Sequence, residues 1–170
     1  VPQEVAGESL EEKLAKVKNA MSKNGANGFF PSKLDDIMWL LNIRGCDVEC
    51  NPVALSYFYV SEEEAVLFIQ SRALSKSVWE YLEQKQIRVV EYENVQNFLK
   101  KLSKNQKILV DKRYCSYAFY KLLQEGQELV EYCEAKGVKI AAGFMMRFAA
   151  HVQNMKKAVS EGKIGKEDKR

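Results

Sequence analysis

Apolar positions along this chain change their spacing several times, and the changes mark out its elements. From Ser9 to Lys23 they fall at Leu10, Leu14, Val17 and Met21, the three-and-four spacing of an amphipathic helix, behind a Ser9-x-x-Glu12 capping box. Asn24, Gly25 and the Asn27-Gly28 pair end that helix with residues that tolerate positive φ. The residues before Gly7 carry no period. Gly28-Phe29-Phe30, closed by Pro31, predicts a brief strand, and Leu34 to Leu41 a short buried helix with Asp35 and Asp36 in its first turn, where carboxylates favour the positive end of the dipole.

Leu55 to Val60 and Ala65 to Ile69 are strand-like runs around the polar turn Ser61 to Glu64, which predicts a β-hairpin. From Ser71 the period is helical again, with Leu74, Val78, Tyr81 and Leu82 on one face. A strand over Ile87 to Tyr92, a short helix marked by Val95, Phe98, Leu99 and Leu102, a strand at Ile108 to Val110 and an aromatic helix from Cys115 to Leu123 follow. Beyond it the pattern predicts a helix from Gln127 to the glycine stop at Gly137, a strand over Val138 to Ala142, and a long helix from Phe144 to Ser160 ended by Gly162. Strands and helices in alternation specify an α/β protein: a three-layer α/β/α domain with a mixed sheet of five or six strands. No repeat or low-complexity linker divides the chain, so residues 1–170 are expected to form one domain, with 167–170 as a tail.

Composition narrows the class. The 170 residues are 46% hydrophobic and 11% aromatic, enough to fill one core. With no apolar run of membrane-spanning length and an acidic, polar start, the expectation is a soluble, cytoplasmic chain with neither membrane span nor signal peptide. Twenty-six basic against 23 acidic residues leave a net charge of +3, interleaved rather than striped, which argues against nucleic acid as partner. Cys46, Cys50, Cys115 and Cys133 form neither a disulfide framework nor a CxxC pair, so reduced thiols are expected and no metal site.

One stretch packs polar residues together without helical or strand period: the loop Arg44 to Pro52. Arg44, Asp47 and Asn51 in it, with Tyr57 on the following strand, are the candidate substrate-proximal residues. Against that stands local bonding of Asp and Asn side chains to backbone, which would leave them as loop braces, and core packing for Tyr57. His151 and Arg147, four residues apart on the last predicted helix, are weaker candidates. Met145, Met146 and Met155 beside Phe144 and Phe148 read as core, and any apolar surface that helix leaves uncovered would find an outlet in a homodimer.

The strings GESLEEKLAKV, LDDIMWLLNIRGCDVECNPVALSYFYV, the hairpin ending LFI, and LVDKRYCSYAFY together resemble the creatinase/prolidase N-terminal-type domain of Xaa-Pro aminopeptidases (aminopeptidase P), specifically the middle domain of the three-domain form, over residues 7–122. The resemblance implies a mixed-sheet α/β unit without catalytic residues, serving as a structural or interaction module. The peptidase chemistry would belong to a separate pita-bread domain holding two metal ions, and that domain would be the partner. Its ligands are two Asp, one His and two Glu with further His, whereas this chain has His151 alone, so no catalytic residue and no metal are expected. Alternatively the chain gates the pocket of such a peptidase in trans or as a fragment.

Residues 124–166, GQELVEYCEAKGVKIAAGFMMRFAAHVQNMKKAVSEGKIGK within them, resemble the end of the nucleotide-binding domain of the glucose-fructose oxidoreductase/inositol dehydrogenase family. The pairing implies a chimera, natural or engineered, joined near Leu123, its helix-strand-helix completing the domain. The G-x-G-x-x-G fingerprint that lets backbone approach a pyrophosphate is missing, so no cofactor is expected, and a nucleotide-binding module is the weaker alternative.

Overall fold

The computed structural model describes residues 1–102, 106–126 and 128–131, residues 3, 126 and 128–131 by their backbone. A one-turn helix α1 (Gln3–Ala6) stands where the sequence carries no period. Helix α2 (Leu10–Lys23) has both arms of its capping box: Glu12 N donates to Ser9 Oγ at 3.2 Å and Ser9 N to the Glu12 carboxylate at 2.7 Å. Strand β1 is Gly28–Phe29, and α3 spans Leu34–Leu41 as its apolar run predicts, ending at Asn42 in the left-handed conformation, φ 54°. The hairpin forms as β2 (Ser56–Ser61) and β3 (Ala65–Ile69). The helix expected from Ser71 begins instead at Lys76 as α4 (Lys76–Gln84). Ser75 takes the cap by accepting from Val78 N, and a 3-10 turn occupies Ser71–Ala73. Then come β4 (Ile87–Val90), α5 (Val95–Lys101), β5 (Lys107–Val110) and α6 (Tyr117–Gly126).

The chain next departs from its local pattern. Glu128–Glu131, expected within a helix, is strand β6, paired in parallel with β5 from Lys107↔Glu128 to Val110↔Glu131. Helix propensity is a weak prior, and the open ladder on the outer side of β5 overrides it. From residue 132 on, the predicted strand at Val138 to Ala142, the long helix, Arg147, His151 and Cys133 lie outside the described residues.

The sheet has six strands in the order β4-β3-β2-β1-β5-β6. Among them β2 alone runs against the rest: its pairings with β1 and β3 are antiparallel, and those of β3 with β4, β1 with β5 and β5 with β6 are parallel. The sheet is mixed, with helices on both faces, the expected α/β architecture. Right-handed crossovers that step outward to β4 on one side and to β6 on the other put α4 and α6 on opposite faces.

Alternation along the strands divides the core accordingly. Tyr59, Val66, Phe68, Ile108 and Val110 face α5 and α6, in one cluster with Phe30, Val95, Leu99, Phe119 and Leu123. Phe58, Val60, Leu67, Ile69 and Leu109 point the other way and are equally buried, under α2, α3 and α4. Tyr81 Oη donates to Leu41 O at 3.1 Å and Lys85 pairs with Glu11, tying those three helices together. Gly28 sits where the strands crowd: a Cβ there would lie 2.7 Å from Ile108 Cδ1 and 2.9 Å from Tyr59 Oη.

On α2 the buried stripe is Leu10, Lys13, Val17 and Met21, with Lys13 in the place the period assigns to Leu14. Lys13 Nζ donates to Trp39 O at 2.8 Å and to Asn42 Oδ1, and stands 4.2 Å from the centroid of the Trp39 ring. Burial pushes its amine down to about 8.

Candidate functional site

Five parallel strands direct their carboxyl ends to one edge of the sheet, where β2 begins, and the segment between α3 and β2 lies across that edge. The segment is fixed by its own backbone. Gly45 N donates to Pro52 O at 3.2 Å and Asp47 N to Val53 O at 3.1 Å. At the tip, Asn51 N reaches Val48 O at 3.2 Å around Cys50, whose φ is 59°. Gly45 is required by crowding, since a Cβ there would meet the Ala54 backbone at 2.5 Å.

The candidate residues divide between two places. Asp47 Oδ2 accepts from Leu55 N at 2.8 Å, and Asn51 Nδ2 donates to Asp35 Oδ1 at 3.3 Å, which anchors the loop to the first turn of α3. Arg44 and Asp47 are exposed, and so are Val48, Glu49 and Cys50 between Asp47 and Asn51. Tyr57 does not join them. It is half-buried on the α5/α6 face, stacked on Tyr92 at 5.0 Å and edge-on to Phe119 at 4.8 Å. Its hydroxyl accepts from Tyr92 Oη at 3.3 Å. Burial first, then the Tyr92 bond, pushes the Tyr57 phenol up to about 12.

Tyr92 links the two places. With Asp47, Leu55, Ile69, Gln70 and Ala73 it lines a hollow of about 310 Å³ between the loop and the 3-10 turn. Leu55 is 50% exposed there. Gln70, Ala73 and Tyr92 come from segments with no motif, and only the folded sheet brings them beside Asp47. A second hollow, of about 320 Å³, lies against β4 between Trp79 and Arg88.

Strands β1 and β5 are neighbours whose connections leave in opposite directions, the switch point where open sheets often bind ligands. The turn after β1 reads Phe30-Pro31-Ser32-Lys33, without the glycines that would let backbone approach a phosphate. Carboxylates follow. Burial pushes Asp36 up to about 6, against the pull of Lys33 and with Asp35 and Asp111 adding to the rise. Burial would raise Asp111 as well, but hydrogen bonds from the Arg113 side chain and backbone carry it below the usual range. Lys33 Nζ sits 3.7 Å over the Tyr114 ring. Cys46 and Cys50 are exposed free thiols and Cys115 is a buried one whose pKa burial raises. Among the described residues no three His, Cys, Asp or Glu side chains converge as metal ligands, and no helix is long and apolar enough to cross a membrane.

A family model described as creatinase/prolidase N-terminal domain matches residues 1–141, past the join expected near Leu123. The probable Xaa-Pro aminopeptidase P of Coprinopsis cinerea is 35% identical over 107 residues, covering 63% of this chain and 17% of that protein. That of Coccidioides posadasii is 33% identical over 167 residues, covering 90% and 27%. The chain thus spans about a sixth to a quarter of the length of these relatives. Among solved structures, the X-prolyl aminopeptidase of Caenorhabditis elegans, a cytosolic enzyme with a di-nuclear active site, superposes with a TM-score of 0.72 at 22% identity over 78% of this chain and 23% of its own. The N-terminal domain of an X-Pro dipeptidase from Streptococcus pyogenes gives 0.50 at 18% identity, over 71% of this chain and 99% of that one. At these identities the two superpositions establish the fold.

Proposed function

The chain belongs to the creatinase/prolidase N-terminal domain family, and from that premise we propose that it is a non-catalytic domain of a Xaa-Pro aminopeptidase-type hydrolase. It supports a catalytic domain and presents the loop Arg44 to Pro52 to that domain's peptide pocket. The observation that carries this is the build of the loop. Its backbone is closed on itself and anchored to α3 through Asn51 and Asp35, while Arg44 and Asp47 stay exposed. A loop held in this way can meet a partner without an ordering cost.

In this reading the chemical steps belong to the catalytic domain, and this chain's residues support and position. Asp47 and Asn51 brace the loop, Arg44 is offered at its base, and Tyr57 supports the edge from beneath through Tyr92. A pita-bread catalytic domain is the partner, a homodimer the second association, and the cytosol the location, where Cys46 and Cys50 stay reduced.

The test is a rate measurement with the purified chain, metal ions and an X-Pro peptide, alone and with a separately prepared pita-bread domain. No release of the N-terminal residue by the chain alone, and an altered rate or affinity on mixing, are expected. Metal-dependent release by the chain alone, or no effect on mixing, would overturn the proposal.

A further inference from the structure

The hollow beside Asp47 combines a carboxylate, an amide and an apolar floor in a space suited to one long side chain. Its volume of about 310 Å³ lies at the lower end of the range of small-ligand sites, about 300–1,000 Å³. Leu55, Ile69 and Ala73 supply hydrocarbon surface, and the Tyr92 ring, stacked on Tyr57, closes one wall. Asp47, also in the lining, has one carboxylate oxygen held by Leu55 N, which fixes the direction of the group. Gln70 has its oxygen engaged by Arg72 Nε at 3.1 Å, which leaves its NH₂ as the donor end. Glu91, whose carboxylate accepts from Ser71 N at 3.3 Å, brings a negative charge to the 3-10 turn that follows Gln70.

We propose that this hollow binds a lysine or arginine side chain of a peptide, its aliphatic stem on Leu55, Ile69 and Ala73 and its cation at Asp47, with the Gln70 amide donating to a peptide carbonyl. The inference rests on the reading of the chain as a peptidase domain and names the peptide chemistry its edge selects. Long cationic side chains lay their methylenes on apolar surface while keeping the charged head at a polar rim, which is the arrangement of this hollow. A neutral aliphatic side chain would cover the same floor but strip water from Asp47 without replacing it. An acidic side chain would add repulsion.

The experiment uses the full 170-residue chain, labelled for amide NMR, and three capped peptides: Ac-Ala-Lys-Ala-NH₂ and its norleucine and glutamate counterparts. The lysine peptide is expected to shift the amides of Asp47, Leu55, Gln70 and Ala73 and to bind about tenfold more tightly than the norleucine peptide. Asp47→Asn keeps an oxygen for Leu55 N but removes the charge, so it should abolish that preference. Ala73→Leu fills the floor and should weaken both peptides, and an unchanged thermal midpoint for each variant confirms that the fold is intact. Equal binding of lysine and norleucine peptides, a preference that survives Asp47→Asn, or no shift at any concentration would overturn the inference. The two proposals fail separately. A chain that alters catalytic-domain turnover without a lysine preference leaves the domain reading standing, and one that binds the lysine peptide but never alters turnover leaves the site standing.

Discussion

Asp47 Oδ2 accepts the backbone N–H of Leu55 at 2.8 Å across the mouth of the loop, so one side chain both braces the loop and lines the hollow beside it. The two roles separate on substitution. Asp47→Ala should expose the Leu55 amide to faster hydrogen exchange and cost about 1 kcal/mol of stability. Asp47→Asn should leave both nearly unchanged. Slow exchange at Leu55 in the alanine variant would show that the brace is unimportant.

Tyr57 is predicted to act through packing. Tyr57→Phe removes the acceptor for Tyr92 Oη and should cost about 0.5–1.5 kcal/mol in urea denaturation, whereas Tyr57→Ala should cost about 3–5 kcal/mol through the cavity it opens between Phe30, Tyr92 and Phe119. Peptide binding by the phenylalanine variant should match the parent. A large loss of binding with unchanged stability would instead make Tyr57 a contact residue.

Lys13 gives the fold an alkaline signature. Its folded pKa, about 8, lies below the ordinary 10.5, so between those values the unfolded chain binds more protons and stability rises with pH. Below pH 8 the cost of holding the buried ammonium is fully present, offset in part by the oxygens of Trp39 and Asn42. Urea midpoints measured across this window for the parent and for Lys13→Met should diverge, the parent gaining stability with pH relative to the variant. Parallel curves would contradict it.

Asp36 acts in the acid range with the opposite sense. Its pKa is raised from 3.8 to about 6, so the folded chain holds the extra proton and stability falls as pH climbs through that interval. Asp36→Asn should therefore be more stable than the parent at pH 7 and lose that advantage near pH 4. A variant equally stable or weaker at neutral pH would rule this out.

Much of the fold was legible because its signals are local. Ser9 and Glu12 cap α2, Asp35 and Asp36 open α3, and the polar turn between two aromatic and β-branched runs sets the hairpin. Lys13 was not legible: its burial depends on the carbonyl of Trp39 and the left-handed cap at Asn42, both on another helix, while the period pointed to Leu14. Strand β6 was missed because Glu128 to Glu131 takes its conformation from the open edge of β5. Of the candidate site, the loop could be read from its lack of period. The hollow could not, since Gln70, Ala73 and Tyr92 reach Asp47 only through the order of the sheet.

The proposed role is tested most directly by hydrolysis of an X-Pro peptide in the presence of metal ions, followed for the purified chain, for a pita-bread catalytic domain of the same family, and for the two mixed. The account predicts no release of the N-terminal residue by the chain alone and a rate or affinity for the mixture that differs from that of the catalytic domain. Metal-dependent release by the chain alone, or a mixture indistinguishable from the catalytic domain, would contradict it.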